Sequence, residues 1–377
     1  MGRKAVDRGR RQSDTAEPSV EPAQVSQVPG ESGRVVERSV EPLRGVDEAV
    51  HAHSGYTTVR TMRLVIIVAG EALIDLVVHP DGRRRSTPGG GPFNTARTIA
   101  RLGGDVAFLG RLSEDEAGRT LRAALEADGV ETRYVVSTSD PTTQAVATLD
   151  EQRAASYSFE VDGTSAAGLT TAQAAAAVAT PSAALHVGTM GLVLEPIGSA
   201  LASVVAALAG STLLMVDPNC RPPVIADRAA YVARLDAVLA RADIVKVSSD
   251  DLAYLAPGRS PIAAARDLKA RTGATFLVTD GPRDVVVITG RGERVLPVPT
   301  VEIVDTVGSG DAFGGAFLAR WMELGLGRAS LADPDAVADA ARLAIDVAAL
   351  TCQRHGADPP TRAEAGWPVA ARDHRTG

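Results

Sequence analysis

The run Val304-Asp305-Thr306-Val307-Gly308-Ser309-Gly310-Asp311-Ala312-Phe313-Gly314-Gly315-Ala316-Phe317 places small residues and an acid where a helix should begin. Phe313, Phe317 and Trp321 recur at i, i+4 and i+8, so that helix buries one stripe. Gly308, Ser309 and Gly310 then stand at its N-terminus, where backbone N–H groups lack partners and the dipole is positive. Such amides cradle a phosphate, and glycine lets the backbone approach it closely. Asp311 falls in the first turn beside this anion hole. The dipole predicts an ionised carboxylate there. It would accept a proton from a hydroxyl attacking a terminal phosphate. A first-turn acid that only caps its helix is the plainer alternative. Two other phosphate motifs fail on spacing. Gly308, Gly310 and Gly314 miss the dinucleotide fingerprint by one residue, and no G-x-x-x-x-G-K-[ST] occurs.

A second glycine cluster, Pro88-Gly89-Gly90-Gly91-Pro92-Phe93-Asn94, precedes another helix. Pro92 suits a first helical position and Gly103 a stop after Leu102. Gly89 and Gly90 allow backbone contact with a ligand, and Asn94 offers both a donor and an acceptor to a sugar hydroxyl. A third segment, Gly70-Glu71-Ala72-Leu73-Ile74-Asp75, ends the first strand-like run, where open α/β sheets bind ligands. Asp75 reads as a hydroxyl clamp or a solvated edge residue.

The elements that must carry these residues alternate. Val65–Val68, Ala107–Leu109, Ala184–Val187, Leu213–Val216, Ile244–Val247 and Phe276–Val278 read as short buried strands, with Ala-rich helical runs between them. A further strand is expected at Val301–Val304. This pattern predicts an α/β fold with a central, mostly parallel sheet flanked by helices. Around Ala72–Val78 and Thr143–Val161 the period falls to two, as in Tyr157, Phe159 and Val161 against Ser158, Glu160 and Asp162. These stretches predict a small β-sheet lid, built from segments at roughly 72–88 and 131–162.

Taken in order, the Gly-Glu-Ala-Leu-Ile-Asp run, the Gly-Gly-x-x-x-Asn turn, Asp217-Pro218-Asn219 and Asp305-Thr306-x-Gly308-x-Gly310-Asp311 resemble the ribokinase-like (PfkB) carbohydrate kinases, most closely the fructokinase-like members. The resemblance implies ATP-dependent phosphorylation of a sugar hydroxyl, with fructose or a related small sugar as acceptor. Ribose, 2-keto-3-deoxygluconate or a nucleoside are the alternatives, and a non-catalytic sugar-binding regulator is a reading of another class. By motif position Asp311 would be the catalytic base and Gly308, Ser309 and Gly310 the anion hole. Asp75, Gly89, Gly90 and Asn94 would bind sugar. Mg²⁺ would accompany the ATP phosphates, and a K⁺-like monovalent cation would sit near Asp305 and Val307. Two segments depart from the family pattern. Ser248 and Asp251 stand where Asn and Glu are usual, leaving oxygen ligation through water. Thr279 and Gly281 match Thr-x-Gly, but Asp284 replaces a third glycine. Lys246 and Arg221 are further candidate charges for the phosphates. The helix around Ala341–Ala349, followed by Cys352 to Ala357, resembles the family's helix beside the adenine pocket.

Composition narrows the classes. The 377 residues are 45% hydrophobic and 23% charged, with 39 Lys+Arg against 46 Asp+Glu for a net charge of −7. That supports a sizeable core and argues against broad nucleic-acid or anionic-membrane binding. Two distant cysteines, Cys220 and Cys352, exclude a disulfide framework and a cysteine-paired zinc site; both are expected to be buried thiols in a reducing cytoplasm. Residues 1–61 carry nine basic and nine acidic residues without apolar periodicity. They read as a disordered extension with no secretory signal, and Met62 as a possible translation start. The kinase domain is expected over 62–365, with a tail at 366–377. Pro196 to Val216 lacks charge, but its Gly-Ser-Thr break predicts a helix over 197–209 and a strand rather than a membrane span. A homodimer through an open lid edge is a further expectation.

Overall fold

The computed structural model describes residues 64–150, 155–179 and 181–368. The expected extension over 1–61, the start at Met62 and the end of the tail lie outside the described residues. The chain begins with β1 (Ile66–Ala69), β2 (Leu73–Val78), β3 (Arg84–Gly89), α1 (Gly91–Arg101), β4 (Val106–Ser113), α2 (Glu116–Ala127) and β5 (Glu131–Thr138). It continues through β6 (Gln144–Leu149), β7 (Ala155–Glu160), α3 (Thr171–Val178), β8 (Ala184–Gly188), α4 (Ile197–Ala206), β9 (Leu213–Asp217) and α5 (Arg228–Leu239). Then come β10 (Ile244–Ser248), α6 (Ser249–Leu255), α7 (Pro261–Thr272), β11 (Thr275–Asp280), β12 (Arg283–Ile288), β13 (Glu293–Leu296), α8 (Ser309–Glu323) and α9 (Pro334–Cys352).

Nine strands form one sheet in the order β13-β12-β11-β10-β9-β8-β1-β4-β5. Every pair from β5 to β11 is parallel; β12 and β13 add an antiparallel edge. Both faces are buried, as the continuous apolar strands require. On β1, Ile67 and Ala69 enter one core cluster while Ile66 and Val68 enter the other. The second cluster contains the expected α8 stripe, where Phe317 stacks on Trp321 with ring centroids 5.7 Å apart. Because the strands are parallel, their C-terminal ends share one edge of the sheet. Gly70-Glu71, Thr189, Asn219 and Ser248 all follow or close strands there.

The smaller sheet runs β3-β2-β6-β7. It is mixed: β2 pairs antiparallel with β3 and parallel with β6, and β6 pairs antiparallel with β7. Its β2–β3 hairpin is inserted between β1 and α1, so both lid and helix hang on the end of one central strand.

Two expectations need correction. The lid segment expected from residue 131 begins later, because β5 pairs in parallel with β4 at the edge of the large sheet. The strand expected at Val301–Val304 does not form. Ile303 and Val304 are exposed, and the Val304 and Asp305 amides both donate to the Cys352 carbonyl at the end of α9. A β-branched run with no neighbouring strand stays an extended loop. Among the described residues no helix is long and apolar enough to cross a membrane, and 197–216 folds as α4 and β9.

Candidate active site

Three cavities run along the C-terminal ends of the strands, and Gly310 lines all of them. The first, about 520 Å³, is walled by Asp75, Asn94, Ala145, Phe159, Arg221 and Asp311. Ala145 and Phe159 come from the small sheet, which therefore covers this cavity. The second, about 390 Å³, lies against Arg221, Lys246, Ser248, Asp251, Thr279 and Ser309. The third, about 290 Å³, is largely apolar, with Val301, Phe313, Ile345, Ala348 and Cys352 in its wall.

Asp311, next to Gly310, lines the first cavity. It is 8% exposed, and Asn94 Nδ2 on α1 donates to its Oδ2 at 2.9 Å. The helix dipole expected to favour its ionised form is opposed by burial. Burial raises its pKa, while the Asn94 hydrogen bond and the charges of Lys246 and Arg221 pull the other way. A raised pKa makes it a stronger proton acceptor once ionised. Asn94 Oδ1 is buried without a partner and remains free to accept from a ligand hydroxyl.

The glycines are tight because the backbone must pass close. Gly308 caps α8 at φ +78°, and a Cβ there would lie 2.4 Å from the Ala357 Cβ. A Cβ at Gly89 would fall 2.0 Å from Asp75 Oδ2. The expected anion hole changes in one detail. The Ser309 amide and hydroxyl both turn back to the Thr306 carbonyl, at 3.3 and 2.9 Å. The Gly310 and Asp311 amides are then the ones without an intrahelical acceptor.

Lys246 is buried, not a solvated strand end. Its Nζ donates to Asp217 Oδ2 at 2.9 Å, and a Cβ on Gly310 would sit 2.8 Å from that Nζ. Burial works against its charge, but Asp217, Asp251 and Asp311 outweigh it and raise its pKa. Arg221 is exposed, lines the first two cavities and bonds only the carbonyls of Asn219 and Cys220. Among the described residues no carboxylate pairs with it.

Ser248 and Asp251 form a capping box at the start of α6. Asp251 Oδ2 accepts from the Ser248 amide and hydroxyl, and Oδ1 accepts from the Cys220 amide at 2.6 Å. The water-linked ligation expected of Asp251 therefore meets a carboxylate already engaged; its neighbour Asp250 is exposed in the same cavity. Thr279 and Gly281 lie at the junction of the second and third cavities. The Asp305 carboxylate accepts from the Val307 and Gly356 amides and pins the loop before α8 to the loop after α9. No cluster of three or more His, Cys, Asp or Glu among the described residues could hold a metal ion. Cys220 is buried and free; Cys352 is free but only partly buried, unlike the expectation for both.

Sequence reasoning assigns no role to Glu71 or Asp217. Glu71 is 2% exposed, and burial raises its pKa to about 7. Asp75, half-buried on β2, is raised to about 6 by burial and then by the nearby Asp311 charge. An acid inside an apolar strand end is the sequence signal for both Glu71 and Asp217. Their partners are too remote in sequence to be read.

The model of the pfkB family carbohydrate kinases matches residues 63–364. A fructokinase of Rhizobium leguminosarum bv. trifolii is 32% identical over 259 residues, covering 68% of this chain and 79% of the relative. The crystal structure of a Xylella fastidiosa fructokinase with bound ATP superposes with a TM-score of 0.73 at 29% identity, covering 80% of this chain and 96% of that one. A fructokinase double mutant of Vibrio cholerae O395, bound to fructose, ADP and potassium, gives a TM-score of 0.66 at 26% identity, with coverages of 78% and 94%.

Proposed function

The chain belongs to the pfkB family of carbohydrate kinases, and we propose that it transfers the γ-phosphoryl group of ATP to a hydroxyl of fructose or a closely related small sugar. One observation carries this reading: Gly310, beside Asp311, lines a cavity that holds Asp75, Asn94 and Asp311, a second that shares Lys246 and Arg221 with it and reaches Ser309, and a third that is largely apolar. Sugar, phosphates and adenine match those three in chemistry and order. The fructose- and ATP-bound fructokinases support the same assignment.

In this reading Asp75, Asn94 and the backbone at Gly89 and Gly90 hold the sugar under Phe159 and Ala145. Asp311 takes the proton of the attacking hydroxyl. The Gly310 and Asp311 amides, with Gly308 setting the turn, face the charge on the transferring group, and Lys246 and Arg221 supply positive charge beside it. Thr279, Gly281 and Ser309 border the nucleotide, and Ser248 and Asp251 shape that loop. Closure by the small sheet excludes water, a competing acceptor. Mg²⁺, when bound with ATP, would neutralise phosphate charge and would be held on the phosphates, with Asp250 as the open carboxylate in that cavity. Asp305 and Val307 fit a monovalent cation through carbonyl oxygens only, because the Asp305 carboxylate is occupied. A cytoplasmic site, where thiols stay reduced, and a homodimer through edge strand β3 or β7 belong to the same reading.

The test is ADP release from MgATP with fructose, ribose, 2-keto-3-deoxygluconate and a nucleoside supplied separately. Fructose should give the highest kcat/KM. Tight sugar binding with no turnover on any acceptor would make the protein a sugar-binding module instead.

A further inference from the structure

Behind the acceptor cavity the Glu71 carboxylate gathers donors from separate segments. Oε1 accepts from the Thr189 hydroxyl and, at 3.3 Å, from the Gly91 amide that opens α1. Oε2 accepts from the Gly191 amide at 2.9 Å. Thr189 holds a left-handed backbone, φ +52°, which a side chain other than glycine adopts only when its surroundings fix it. One turn into α1, Asn94 holds Asp311. Gly91 itself is close to the base: a Cβ there would lie 3.2 Å from Asp311 Oδ1.

We propose that Glu71 is a positioning residue, whose ionised carboxylate ties the turn after β8 to the first turn of α1 and thereby sets Asn94 against Asp311. This rests on the kinase reading for its consequence in turnover, but the tie itself is independent of any substrate. The Gly91 and Gly191 amides can only donate and the Thr189 hydroxyl donates in this arrangement, so the ionised carboxylate accepts from all three; protonation leaves the Thr189 oxygen, by reversing its bond, as the one acceptor for the new hydrogen. Burial is the main reason its proton is held up to pH about 7, the Thr189, Gly191 and own-backbone hydrogen bonds oppose this, and Asp311 on α8 adds repulsion. No cation faces it among the groups acting on its charge; Lys246 and Arg221 act on Asp311. The ionised carboxylate is therefore the form that holds both segments by all three bonds at once.

Three variants test the tie. Glu71→Gln keeps the shape but turns an amide N–H₂ toward a donor. Thr189→Val deletes one hydroxyl donor, and Thr189→Ser restores it. Amide hydrogen exchange is measured first, above neutral pH and without substrate. In Glu71→Gln the peptides covering 89–95 and 189–192 should exchange at least ~10-fold faster, with β9 and β10 unchanged. Equal protection in both proteins overturns the tie, whether or not the protein is a kinase. Steady-state rates then separate the consequences. With an active wild type, Glu71→Gln should lower kcat about 10-fold or more and flatten the acid limb near pH 7. Thr189→Val should move that limb to higher pH, and Thr189→Ser should leave it in place. An unchanged limb in Glu71→Gln and in Thr189→Val, with only a lower Tm, makes Glu71 merely structural and overturns the inference. A wild type inactive on every acceptor would overturn the kinase reading alone, since the exchange result stands without it.

Discussion

The proposed acceptor end and the proposed phosphate end of this site adjoin at Gly310 on the same sheet edge, yet their electrostatics are opposite. At the acceptor end Glu71, Asp75 and Asp311 are carboxylates whose pKa values burial raises. At the phosphate end Lys246, Arg221 and the first turn of α8 present donors and positive charge. The two meet at Gly310 and Asp311. On the proposed reading the difference teaches how one edge of one fold would handle a proton and a polyanion together: the proton where carboxylates crowd, and the phosphate where the Gly310 and Asp311 amides and Arg221 lack anionic partners beside the paired Lys246.

Removing the junction should erase the comparison altogether. Asp311→Asn keeps the contact with Asn94 in size but cannot take a proton, and kcat should fall at least ~10² with little change in sugar affinity. Steady-state kinetics and calorimetric sugar binding read both. At the phosphate end, Lys246→Met strips the charge from a buried pair. Stranding Asp217 should cost about 3–5 kcal/mol of stability, seen as a lower denaturation midpoint, together with activity. The double variant Lys246→Met/Asp217→Asn sharpens the point: stability should return while kcat stays low. Recovery of both would show that Lys246 only balances Asp217. Gly308→Ala should lose activity with a smaller fold penalty, because φ +78° and the Ala357 contact oppose a Cβ where the anion-binding turn begins.

The smallest effect on the fold, and of opposite sign, belongs to the acceptor end. Asp75 has a folded pKa of about 6, above its ordinary 3.8. Its charge therefore destabilises the folded protein in full above pH 6, and the effect vanishes below pH 3.8. Asp75→Asn should be more stable than wild type at pH 8, by about 1 kcal/mol after allowing for partial solvent screening. The advantage should fade between pH 6 and 4, while the KM for sugar rises. Thermal melts across pH check the sign; a variant less stable at pH 8 would place a favourable partner at Asp75.

Much of this site is legible in the sequence because its parts are local. A glycine before an acid, or a glycine cluster before Pro92, specifies a turn and a helix start within a few residues. The alternation of apolar runs likewise specifies a parallel sheet. What escapes reading is contact between distant segments. Asn94 and Asp311 are 217 residues apart, and Glu71 meets Thr189 and Gly191 across about 120. Nothing near Lys246 in the sequence foretells its burial against Asp217. The stretch 301–304 misleads for a related reason. Its β-branched residues suit a strand, but a strand needs a neighbour, and the Cys352 carbonyl of α9 takes the Val304 amide instead. Asp251 departs from the usual Glu but offers the oxygens expected for water-linked ligation, and spends them on the α6 cap and the Cys220 amide.

The central claim is that one carboxylate and one helix start bring an alcohol and a terminal phosphate together. A crystal structure with fructose and a non-hydrolysable ATP analogue tests it most directly. The account predicts a sugar hydroxyl about 3 Å from the Asp311 carboxylate, with the γ-phosphate over the Gly310 and Asp311 amides and the base against Ala348 and Ala349. Fructose bound away from Asp311, or a nucleotide whose phosphates avoid the start of α8, would contradict it.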